Sequence, residues 1–492
     1  MKRAGANRIY IVGAGFAGRS IAKEIKEKRI HGEVVAFLDD DPQKRGTKVD
    51  GVPVLGPVAE VERHLKAVPA THAIIALPSA PREQLSSIYC ILSRADFRSV
   101  RIVPGISQII EGDAHLVQTR EIDVHDLLGR TPVSIGLKKS LGYLRGKRVL
   151  ITGAGGSIGS ELARQLLSGG ASRLYLFDHE ENSIYEIDKE LRLLQEGGVG
   201  EAATVVPVLG DLQDRDYTHF ILGRLKADVV FHCAAYKHVP MLEHNPIEAI
   251  KNNTFGTLNL VDASIAAGTP RFVAISTDKA VSPSSVYGAS KMLAEEIVLR
   301  KREGRGDYMV VRFGNVLGSR GSIVPLFKKQ IANGGPVTIT HPEVTRYFMT
   351  LPEAASLVLK AGGVGKGGDL YILDMGEPLS IKELAEQMIR FYGFTPETEI
   401  PIRYIGLRPG EKLHETLWAC DERPVRTEYP RINRLPRDER FNGSLDGFIK
   451  SLHAVCFFDQ ERPEHYRNRA VLRSILKTYI PSVPAPAEEP EY

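Results

Sequence analysis

The chain has 492 residues, too many for one compact core, so we expect two or three domains. Hydrophobic residues make up 43% of the chain and charged residues 25%, which is typical of a globular protein in water. A formal net charge of +4 is small for this length, so the charge gives no reason to expect nucleic acid or an anionic membrane as a partner.

The cysteines and the lengths of the apolar runs indicate the cellular compartment in which the protein works. The four cysteines are scattered, without a CxxC pair or any metal-ligand spacing, so we expect reduced thiols and no metal site. No apolar run approaches the ~18–20 residues that cross a bilayer. The first residues contain no apolar region of the signal-peptide kind. These features predict a cytoplasmic protein without a membrane span in this sequence, either by itself or as the soluble part of a membrane-associated protein.

One pattern occurs twice along the chain. It reads RIYIVGAGFAGRSIAKEI from Arg8 and RVLITGAGGSIGSELARQLL from Arg148: an apolar β-branched run, a glycine-rich turn, and apolar residues at helical spacing. A strand, a tight glycine turn and a helix open the βαβ unit of a Rossmann fold. The predicted fold class is therefore α/β, with two doubly wound parallel-sheet domains.

The first domain is expected at residues 1–125, followed by a linker at 126–147. EVVAFLDDDP and THAIIALPSA have the apolar runs of buried parallel strands. The glycine loop GAGFAG begins at Gly13, and Asp39 ends the next strand, as in a dinucleotide loop. No cluster of acids, bases or nucleophiles follows. We interpret this domain as a nucleotide-binding fold kept for a structural or regulatory role, and a second nucleotide site is the alternative.

The second domain is predicted at residues 148–480. Five segments indicate strands: LYLFD, TVVPVLGDL, DVVFHCAA, FVAIST and YMVVRFGN. After Gly314 the alternation of strands and helices becomes irregular, which indicates a small C-terminal substrate lobe. The last residues, 481–492, are rich in Pro and Glu and are predicted to be a disordered tail.

The second glycine loop predicts a cofactor. Gly153, Gly156 and Gly159 follow a strand and open a helix, so a pyrophosphate can approach the backbone at the helix N-terminus. Asp178 ends the next strand, where a carboxylate bonds the adenosine ribose and repels a 2′-phosphate, so the predicted cofactor is NAD. Asp211 is expected near the adenine. The other expected cofactor contacts are Ser157, Ile158, Leu212, Ala234 and Ala235, together with Tyr287 and Lys291.

Tyr287 and Lys291 share one face of a helix, because they lie four residues apart. We expect the Lys291 ammonium to lower the pKa of the Tyr287 phenol, so that the phenolate can take a proton from a sugar hydroxyl. Thr277, or Ser276 beside it, is expected to hydrogen-bond the same hydroxyl. The Asp278-Lys279 pair adds a second acid and base, for which a plain dehydrogenase has no use. A solvated charged turn is the alternative for that pair.

Six segments together carry a family resemblance: TGAGGSIGSELARQL, HCAAYKHVPMLEHNPIEAIKNN, STDKAVSPSSVYGASK, RFGNVLGSRGSIVPLF, VTRYFMT and RPGEKLHE. They resemble the UDP-N-acetylglucosamine 4,6-dehydratases of bacterial capsule, flagellin-glycan and O-antigen pathways, within the extended short-chain dehydrogenase/reductase group. The resemblance covers Arg148 to about Leu435. With its N-terminal domain, the chain resembles the long, membrane-attached branch of that family without the transmembrane helices.

The resemblance implies a role for the Asp278-Lys279 pair. Oxidation at C4 makes the C5 proton acidic, and in the family such a pair removes that proton and protonates the departing C6 hydroxyl. Asp278 would be the acid and Lys279 the base. A lysine base must be partly neutral, so we expect burial and the Lys291 charge to lower its pKa. The long branch often has Met at the position of Tyr287 and the short branch has Tyr, which leaves the C5 configuration of the product open.

The same resemblance implies how UDP-N-acetylglucosamine would bind. Asn315 and the GSRGSIVP segment would line the diphosphate and uracil, and forked arginine donors would suit the phosphate charge. Those arginines and the remaining expected contacts are Arg346, Arg408, Glu411 at the uridine ribose, and Lys237 with His238 at the sugar.

Two other functions remain open from the sequence. A UDP-sugar 4-epimerase shares the fold, NAD and the Tyr-Lys pair, but needs no acid-base pair at Asp278-Lys279. A non-catalytic nucleotide-sugar-binding regulatory protein is suggested by the duplicated Rossmann unit. We also expect a homo-oligomer, a dimer or larger, because the helix from Tyr287 to Arg300 carries more apolar residues than one core face needs, namely Met292, Leu293, Ile297 and Val298.

Overall fold

The computed structural model describes residues 7–28, 32–77, 80, 82–102, 120–121, 141–200, 202–300, 306–436 and 444–484. Most of the predicted linker and the predicted tail beyond residue 484 lie outside these residues. The chain divides into two compact units: Met1–Ser134 with Ile323–Val337 and Leu384–Arg403, and Ile135–Ser322 with Thr338–Glu383 and Tyr404–Tyr492. Two segments that the sequence assigned to the second domain thus group with the N-terminal residues.

The described strands of the first unit are β1 (Arg8–Val12), β2 (Glu33–Leu38), β3 (Lys48–Val49), β4 (Val52–Pro53), β5 (His72–Ile75), β6 (Ser99–Ile102) and β7 (Arg120–Glu121). They form a sheet in the order β2-β1-β5-β6-β7, parallel except at β7, and a small antiparallel pair, β3-β4. Side chains of β1 alternate between two apolar clusters, with Ile9 and Ile11 in one and Tyr10 and Val12 in the other. A sheet buried on both faces is the predicted doubly wound arrangement.

The second unit contains a nine-stranded sheet. Its strands are β8 (Arg148–Thr152), β9 (Arg173–Asp178), β10 (Thr204–Leu209), β11 (Val229–His232), β12 (Arg271–Thr277), β13 (Asp307–Phe313), β18 (Leu370–Leu373), β21 (Val425–Arg426) and β22 (Ile432–Leu435). The order is β10-β9-β8-β11-β12-β13-β18-β22-β21, parallel from β10 to β18 and antiparallel beyond. The five strands that the sequence predicted are β9 to β13. Short strands elsewhere are β14 (Asn315–Val316), β15 (Val337–Ile339), β16 (Thr345–Arg346), β17 (Phe348–Met349), β19 (Leu379–Ser380) and β20 (Ile402–Tyr404).

The helices follow the apolar spacing of the sequence. They are Phe16–Lys28, Val61–Ala67, Arg82–Arg94, Ser157–Ser168, Glu181–Glu196, Arg215–Leu225, Val239–His244, Pro246–Ala249, Gly256–Ala266, Val286–Arg300, Ile323–Ala332, Leu351–Val364, Ile381–Phe391, Leu445–Cys456 and Arg469–Tyr479. Ile250–Phe255 forms a π-helical turn, and the 3-10 segments are Val58–Glu60, Gly142–Leu144, Asp278–Ala280 and Pro463–His465. Within the described ranges, every helix is too short or too polar to cross a membrane.

The helix Val286–Arg300 packs against the π-helical turn and the helix Gly256–Ala266, and it is buried on almost all sides. Leu293, Ile297 and Val298 are fully buried within this single chain. The apolar surplus that suggested an oligomer is therefore used in the core of the second unit. A homo-oligomer stays a prediction, and these residues no longer support it.

The parallel strands of the second unit place the site. Their carboxyl ends meet at one edge of the sheet, where α/β folds bind ligands. The residues that follow or end β8, β9, β11, β12 and β13 are Gly153, Asp178, Cys233, Asp278 and Gly314. Most of the residues predicted to bind cofactor or carry chemistry therefore belong to this edge.

Candidate active site

The loop after β8 is shaped by glycines that admit no side chain. Gly153 has a φ of +65°, and a Cβ there would lie 2.6 Å from the backbone nitrogen of Ala234. A Cβ on Gly159 would lie 2.2 Å from the carbonyl oxygen of Gly153, so this glycine lets the helix pack against the loop. Gly156 precedes the helix in an extended conformation. The first amides of the helix, those of Ser157 and Ile158, have no acceptor within it.

Asp178, the last residue of β9, is hydrogen-bonded to this loop. The carboxylate is buried and accepts a hydrogen bond of 3.0 Å from the backbone N–H of Gly155. It thus lies at the place where a ribose-binding carboxylate is expected. Asp211 follows β10 and is exposed, whereas Leu212 beside it is buried.

Ala234 and Ala235 follow β11. The side chain of Asn253, which the sequence analysis missed, holds this segment in place. The amide of Asn253 exchanges two hydrogen bonds with the backbone of Tyr236, at 2.8 and 3.0 Å, and its Nδ2 also donates to Oγ of Ser290 at 3.0 Å. Asn253 is buried in the π-helical turn. It connects the loop after β11 to the helix of Tyr287. The available signal was a polar Asn-Asn pair within an otherwise apolar helical segment.

Tyr287 and Lys291 are both buried, with exposed fractions of 7% and 6%. The Nζ atom of Lys291 donates a hydrogen bond of 2.8 Å to the carbonyl of Ile275. Burial lowers the pKa of Lys291 to about 8. Burial raises the pKa of Tyr287, and the ammonium that opposes this rise is that of Lys279. The expected lowering of the Tyr287 pKa by Lys291 is therefore wrong, because burial dominates.

Thr277, Asp278 and Lys279 form one hydrogen-bonded group at the end of β12. Oδ1 of Asp278 accepts from Oγ1 of Thr277 at 2.9 Å and from Nζ of Lys279 at 3.0 Å. Lys279 also donates to Oδ1 of Asn315 at 3.2 Å. The Thr277 hydroxyl also acts on the Tyr287 phenol and lowers its pKa, so this group adjoins the Tyr-Lys helix. Asp278 is fully buried, so the pair is not the solvated charged turn that the sequence left open.

The pKa of Lys279 moves in the direction opposite to the one expected. Burial by itself would lower it, but the carboxylates of Asp278 and Glu415 outweigh burial and raise it. The expectation of a lowered pKa considered burial and the Lys291 charge and omitted two nearby carboxylates. Lys279 is therefore an ammonium in the resting protein.

Ser276 belongs to a different network. Its Oγ donates a hydrogen bond of 2.6 Å to Oε1 of Glu295. Glu295 also pairs with the buried Arg312 through two hydrogen bonds, of 3.0 and 2.7 Å. Of the two residues proposed to bond the sugar hydroxyl, Thr277 is the one that contacts Tyr287. Sequence reasoning missed Glu295 and Arg312, because a charged residue carries no local signal that it is buried.

The predicted phosphate-binding arginines differ from each other. Arg346 is buried, and its guanidinium donates to three backbone carbonyls and, at 3.1 Å, to Oε1 of Glu411. The guanidinium donors of Arg346 therefore hold the RPGEKLHE loop in place, and they are already used when a phosphate would bind. Arg408 is exposed, with Nε 3.3 Å from Oε2 of Glu411. The exposed Arg408 guanidinium can bind an anion. The Glu411 carboxylate already pairs with two arginines, Arg346 and Arg408.

The GSRGS segment, residues 318–322, lies against the start of the helix Ser157–Ser168. The backbone N–H of Arg320 donates to Oγ of Ser157 at 3.1 Å, and its carbonyl accepts from Nζ of Lys237 at 2.8 Å. His238 packs against Gly321, where a Cβ would lie 2.7 Å from the imidazole ring. The segment therefore bridges the glycine loop and the loop after β11, and its place at the phosphates stays a prediction.

Two charged residues of RPGEKLHE received no role from the sequence and lie beside the candidate catalytic cluster, which consists of Thr277, Asp278, Lys279 and Tyr287. Glu415 is 7% exposed, and its Oε1 lies 3.8 Å from Nζ of Lys279. Lys412 donates a hydrogen bond of 2.8 Å to the carbonyl of Val281, and its Nζ lies 3.9 Å from Oε2 of Glu415. The signal that could have found them is the motif itself, whose Arg408 and Glu411 had been assigned.

The glycine loop of the first unit repeats the geometry of the second. A Cβ on Gly18 would lie 1.9 Å from the carbonyl oxygen of Gly13. Asp39 accepts from the backbone N–H of Ala14 at 2.8 Å and, unlike Asp178, forms an ion pair with a lysine, Lys44, at 3.1 Å. The structural or regulatory role of this domain stays a prediction.

Two families of known proteins match the sequence, one in its N-terminal part and one in the larger part that follows. The profile of the family described as "Polysaccharide biosynthesis protein" matches residues 149–437, and that of a CoA-binding domain matches residues 1–104. The probable polysaccharide biosynthesis protein EpsC of Bacillus subtilis is 42% identical over 434 residues, which cover 88% of this chain and 72% of EpsC.

Other relatives match somewhat more than half of the chain. A UDP-N-acetylglucosamine 4,6-dehydratase (inverting) of Campylobacter jejuni is 32% identical over 289 residues, which cover 58% of this chain and 81% of that protein. The structure of Pen from Bacillus thuringiensis has a TM-score of 0.54 and 34% identity, and covers 60% of this chain and 90% of Pen. Since the family profile spans more than half of the sequence and includes the glycine loop, the catalytic cluster and RPGEKLHE, this chain belongs to the polysaccharide biosynthesis protein family.

Proposed function

We propose that the protein is an NAD-dependent UDP-N-acetylglucosamine 4,6-dehydratase, a hydro-lyase that forms a UDP-4-keto-6-deoxy sugar for polysaccharide synthesis. The observation that carries the proposal is the ion pair of the buried Asp278 with the partly buried Lys279, which lies beside Thr277 and Tyr287. An oxidation at C4 needs only the tyrosine and its lysine, whereas an elimination across C5 and C6 needs the additional acid and base. The similarity to the Campylobacter dehydratase supports this reading.

The residues around the glycine loop fit NAD. The loop has no side chain at Gly153 or Gly156, so a pyrophosphate can lie against the backbone and the helix N-terminus. Asp178 suits the ribose hydroxyls and opposes a 2′-phosphate, which favours NAD over NADP. Bound NAD would take up a hydride from C4 and return it to C6 within one turnover.

The side chains divide the proton transfers between them. Tyr287 takes the proton of the C4 hydroxyl while its own phenol proton passes to the Asp278 carboxylate, and Thr277 orients the C4 hydroxyl through its own hydroxyl group. Lys279, as the neutral amine, removes the C5 proton. Asp278 protonates the departing C6 hydroxyl, and its Oδ2 is the oxygen that is available because Oδ1 already accepts two hydrogen bonds. A proton then returns to C5, so the net loss from the sugar is one water.

Substrate specificity would depend on the surrounding loops. Asn315 is held by Lys279, and Arg408 is exposed at the RPGEK loop, where it can meet a diphosphate. The contacts of Lys237 with the GSRGS segment favour a place for the sugar diphosphate beside the glycine loop.

Mass spectrometry after incubation with UDP-N-acetylglucosamine tests the proposal. A dehydratase gives a product lighter by one water. A UDP-sugar 4-epimerase gives an isomer of unchanged mass, and a non-catalytic nucleotide-sugar-binding protein returns the substrate unaltered. Either of the last two results would reject the dehydratase.

A further inference from the structure

Glu415 is buried against the catalytic cluster and has an oxygen that the protein leaves unsatisfied. Its two carboxylate oxygens lie 3.8 Å from Nζ of Lys279 and 3.9 Å from Nζ of Lys412. Oε2 is buried and has no hydrogen-bond partner among the described residues. A buried carboxylate that lacks hydrogen bonds is costly to keep charged, so burial raises the affinity of Glu415 for a proton.

The charged groups around Glu415 and Lys279 determine how strongly each of the two side chains binds a proton. The titratable groups that face the pair come from four segments and are Asp278, Tyr287, Arg346 and Lys412. Burial raises the pKa of Glu415, and the Asp278 carboxylate adds to the rise against three cations. The same carboxylates keep Lys279 protonated. An ammonium cannot take a proton from carbon, so this lysine must first lose its own.

We propose that Glu415 accepts the proton of Lys279, which frees the amine to take the C5 proton of the sugar. The inference rests on the proposed dehydratase function, because only an elimination needs this base. Glu415 acts through Lys279 and does not touch the sugar, so it is a positioning residue. The 3.8 Å gap must close by about 1 Å, or one water must bridge it, as is common for catalytic hydrogen bonds in the absence of substrate.

The proton transfers balance over one turnover. An N–H bond of the Lys279 ammonium breaks and an O–H bond forms at Glu415. The amine then takes the C5 proton and becomes an ammonium again. After the elimination this ammonium returns a proton to C5, and Glu415 gives its proton back to the amine. Asp278 enters the turnover as a carboxylate, receives the proton released when the C4 hydroxyl is oxidised, and gives it to the departing C6 hydroxyl, so it ends as a carboxylate again.

The pH profile of a Glu415→Gln variant tests the proposal. The measurement is single-turnover formation of dehydrated product from UDP-N-acetylglucosamine, followed by mass spectrometry across neutral pH. In the unchanged protein the proton moves within the pair, so the elimination rate is nearly independent of pH around neutrality. In Glu415→Gln the Lys279 ammonium must lose its proton to water. The elimination rate therefore rises about tenfold per pH unit. On the acid side of neutrality it is at least ~10-fold lower than the rate of the unchanged protein.

Two matched variants make the outcome specific. Glu353→Gln neutralises another buried glutamate whose Oε2 lacks a hydrogen-bond partner among the described residues, but its ion-pair partner is Arg431, at 2.6 Å. We expect it to keep the pH-independent profile. Glu415→Asp retains a carboxylate, so it should also keep that profile, at a lower rate. If Glu415→Gln does not fold, a tenfold rise per pH unit in Glu415→Asp overturns the proposal.

Two other results would also overturn it. A rate for Glu415→Gln that is lower by one constant factor at every pH shows a packing role only. A rate that is faster at neutral pH shows that Glu415 merely holds the ammonium in place. If the unchanged protein forms no dehydrated product, the dehydratase function itself fails and this role fails with it. Reduced cofactor formed in the first step reports, independently, that a variant is folded and binds substrate.

Discussion

Arg312 and Glu295 form a buried, two-point ion pair between β13 and the helix Val286–Arg300, with Nη2 2.7 Å from Oε2. The pair joins β13 to the helix Val286–Arg300, and the hydroxyl of Ser276 donates to the same glutamate. A buried charge that loses its partner is strongly destabilising, whereas the intact pair adds little by itself. The network therefore fixes the position of the helix that carries Tyr287 and Lys291.

We expect Arg312→Met to lower the free energy of unfolding by about 3–5 kcal/mol, because it leaves the Glu295 carboxylate buried without its cation. Urea unfolding of the full chain measures the change. Arg192→Met is the matched control, since Arg192 is exposed and pairs with the half-buried Asp188 on the same helix. Its expected effect is below about 1 kcal/mol. Equal losses in the two variants would contradict a structural role for the buried pair.

Gly153→Ala should abolish cofactor retention. The added Cβ would lie 2.6 Å from the backbone of Ala234, and the residue would be held at a positive φ. We expect the unchanged protein to release NAD on denaturation, because a cofactor regenerated in each turnover need not leave. The variant should release much less.

Gly223→Ala is the matched control for the loop glycine. Gly223 lies in the helix Arg215–Leu225, and a Cβ there meets nothing within 4 Å. It should retain NAD and gain up to about 1 kcal/mol in stability, the usual difference between Ala and Gly within a helix. Release of NADP instead of NAD from the unchanged protein would contradict the role assigned to Asp178.

The sequence predicted the strands and both glycine loops, because apolar periodicity and glycine spacing are local properties of the chain. The same holds for Tyr287 and Lys291, whose spacing places them on one helix face. Glu415 and Arg312 escaped prediction, because the burial of a charge depends on partners from distant segments. The pKa of Lys279 was wrong in direction for the same reason, since one of the carboxylates that raise it comes from the RPGEKLHE loop.

Lys291 should make stability depend on pH. Its folded pKa of about 8 lies below the ordinary lysine value of 10.5, so from pH 8 to 10.5 the unfolded chain binds more protons and the contribution of Lys291 to stability rises with pH. Below about pH 8 the penalty for burying the ammonium is fully present. Lys291→Met removes the penalty, so we expect its stability gain over the unchanged protein to be larger at pH 7 than at pH 10.

Urea unfolding at the two pH values, after bound nucleotide is removed, measures this difference. Removal of nucleotide is necessary because a ligand that binds only the folded state adds its own stabilisation. The variant should be inactive although it is at least as stable at pH 7. A stability difference that stays constant or grows with pH would show that the ammonium is not penalised in the folded protein.

Lys279→Met should separate the two halves of the proposed reaction. The methionine keeps an unbranched apolar side chain and removes the amine, so Tyr287 can still take the C4 proton while the C5 proton stays in place. We expect the protein to stall with reduced cofactor and a 4-keto sugar that has not lost water. Loss of a positioned general base commonly lowers the rate by about 10²–10⁴, enough to make the stalled state visible in a single turnover.

The controls for Lys279→Met locate the block. Tyr287→Phe should stop the earlier step and leave the cofactor oxidised, whereas Lys189→Met, at an exposed helix position, should leave product formation unchanged. The unchanged protein in heavy water should place one solvent deuterium at C5, because that carbon is reprotonated during each turnover. Dehydrated product formed by Lys279→Met at nearly the unchanged rate would show that Lys279 is not the base, and the elimination would then need another residue at C5.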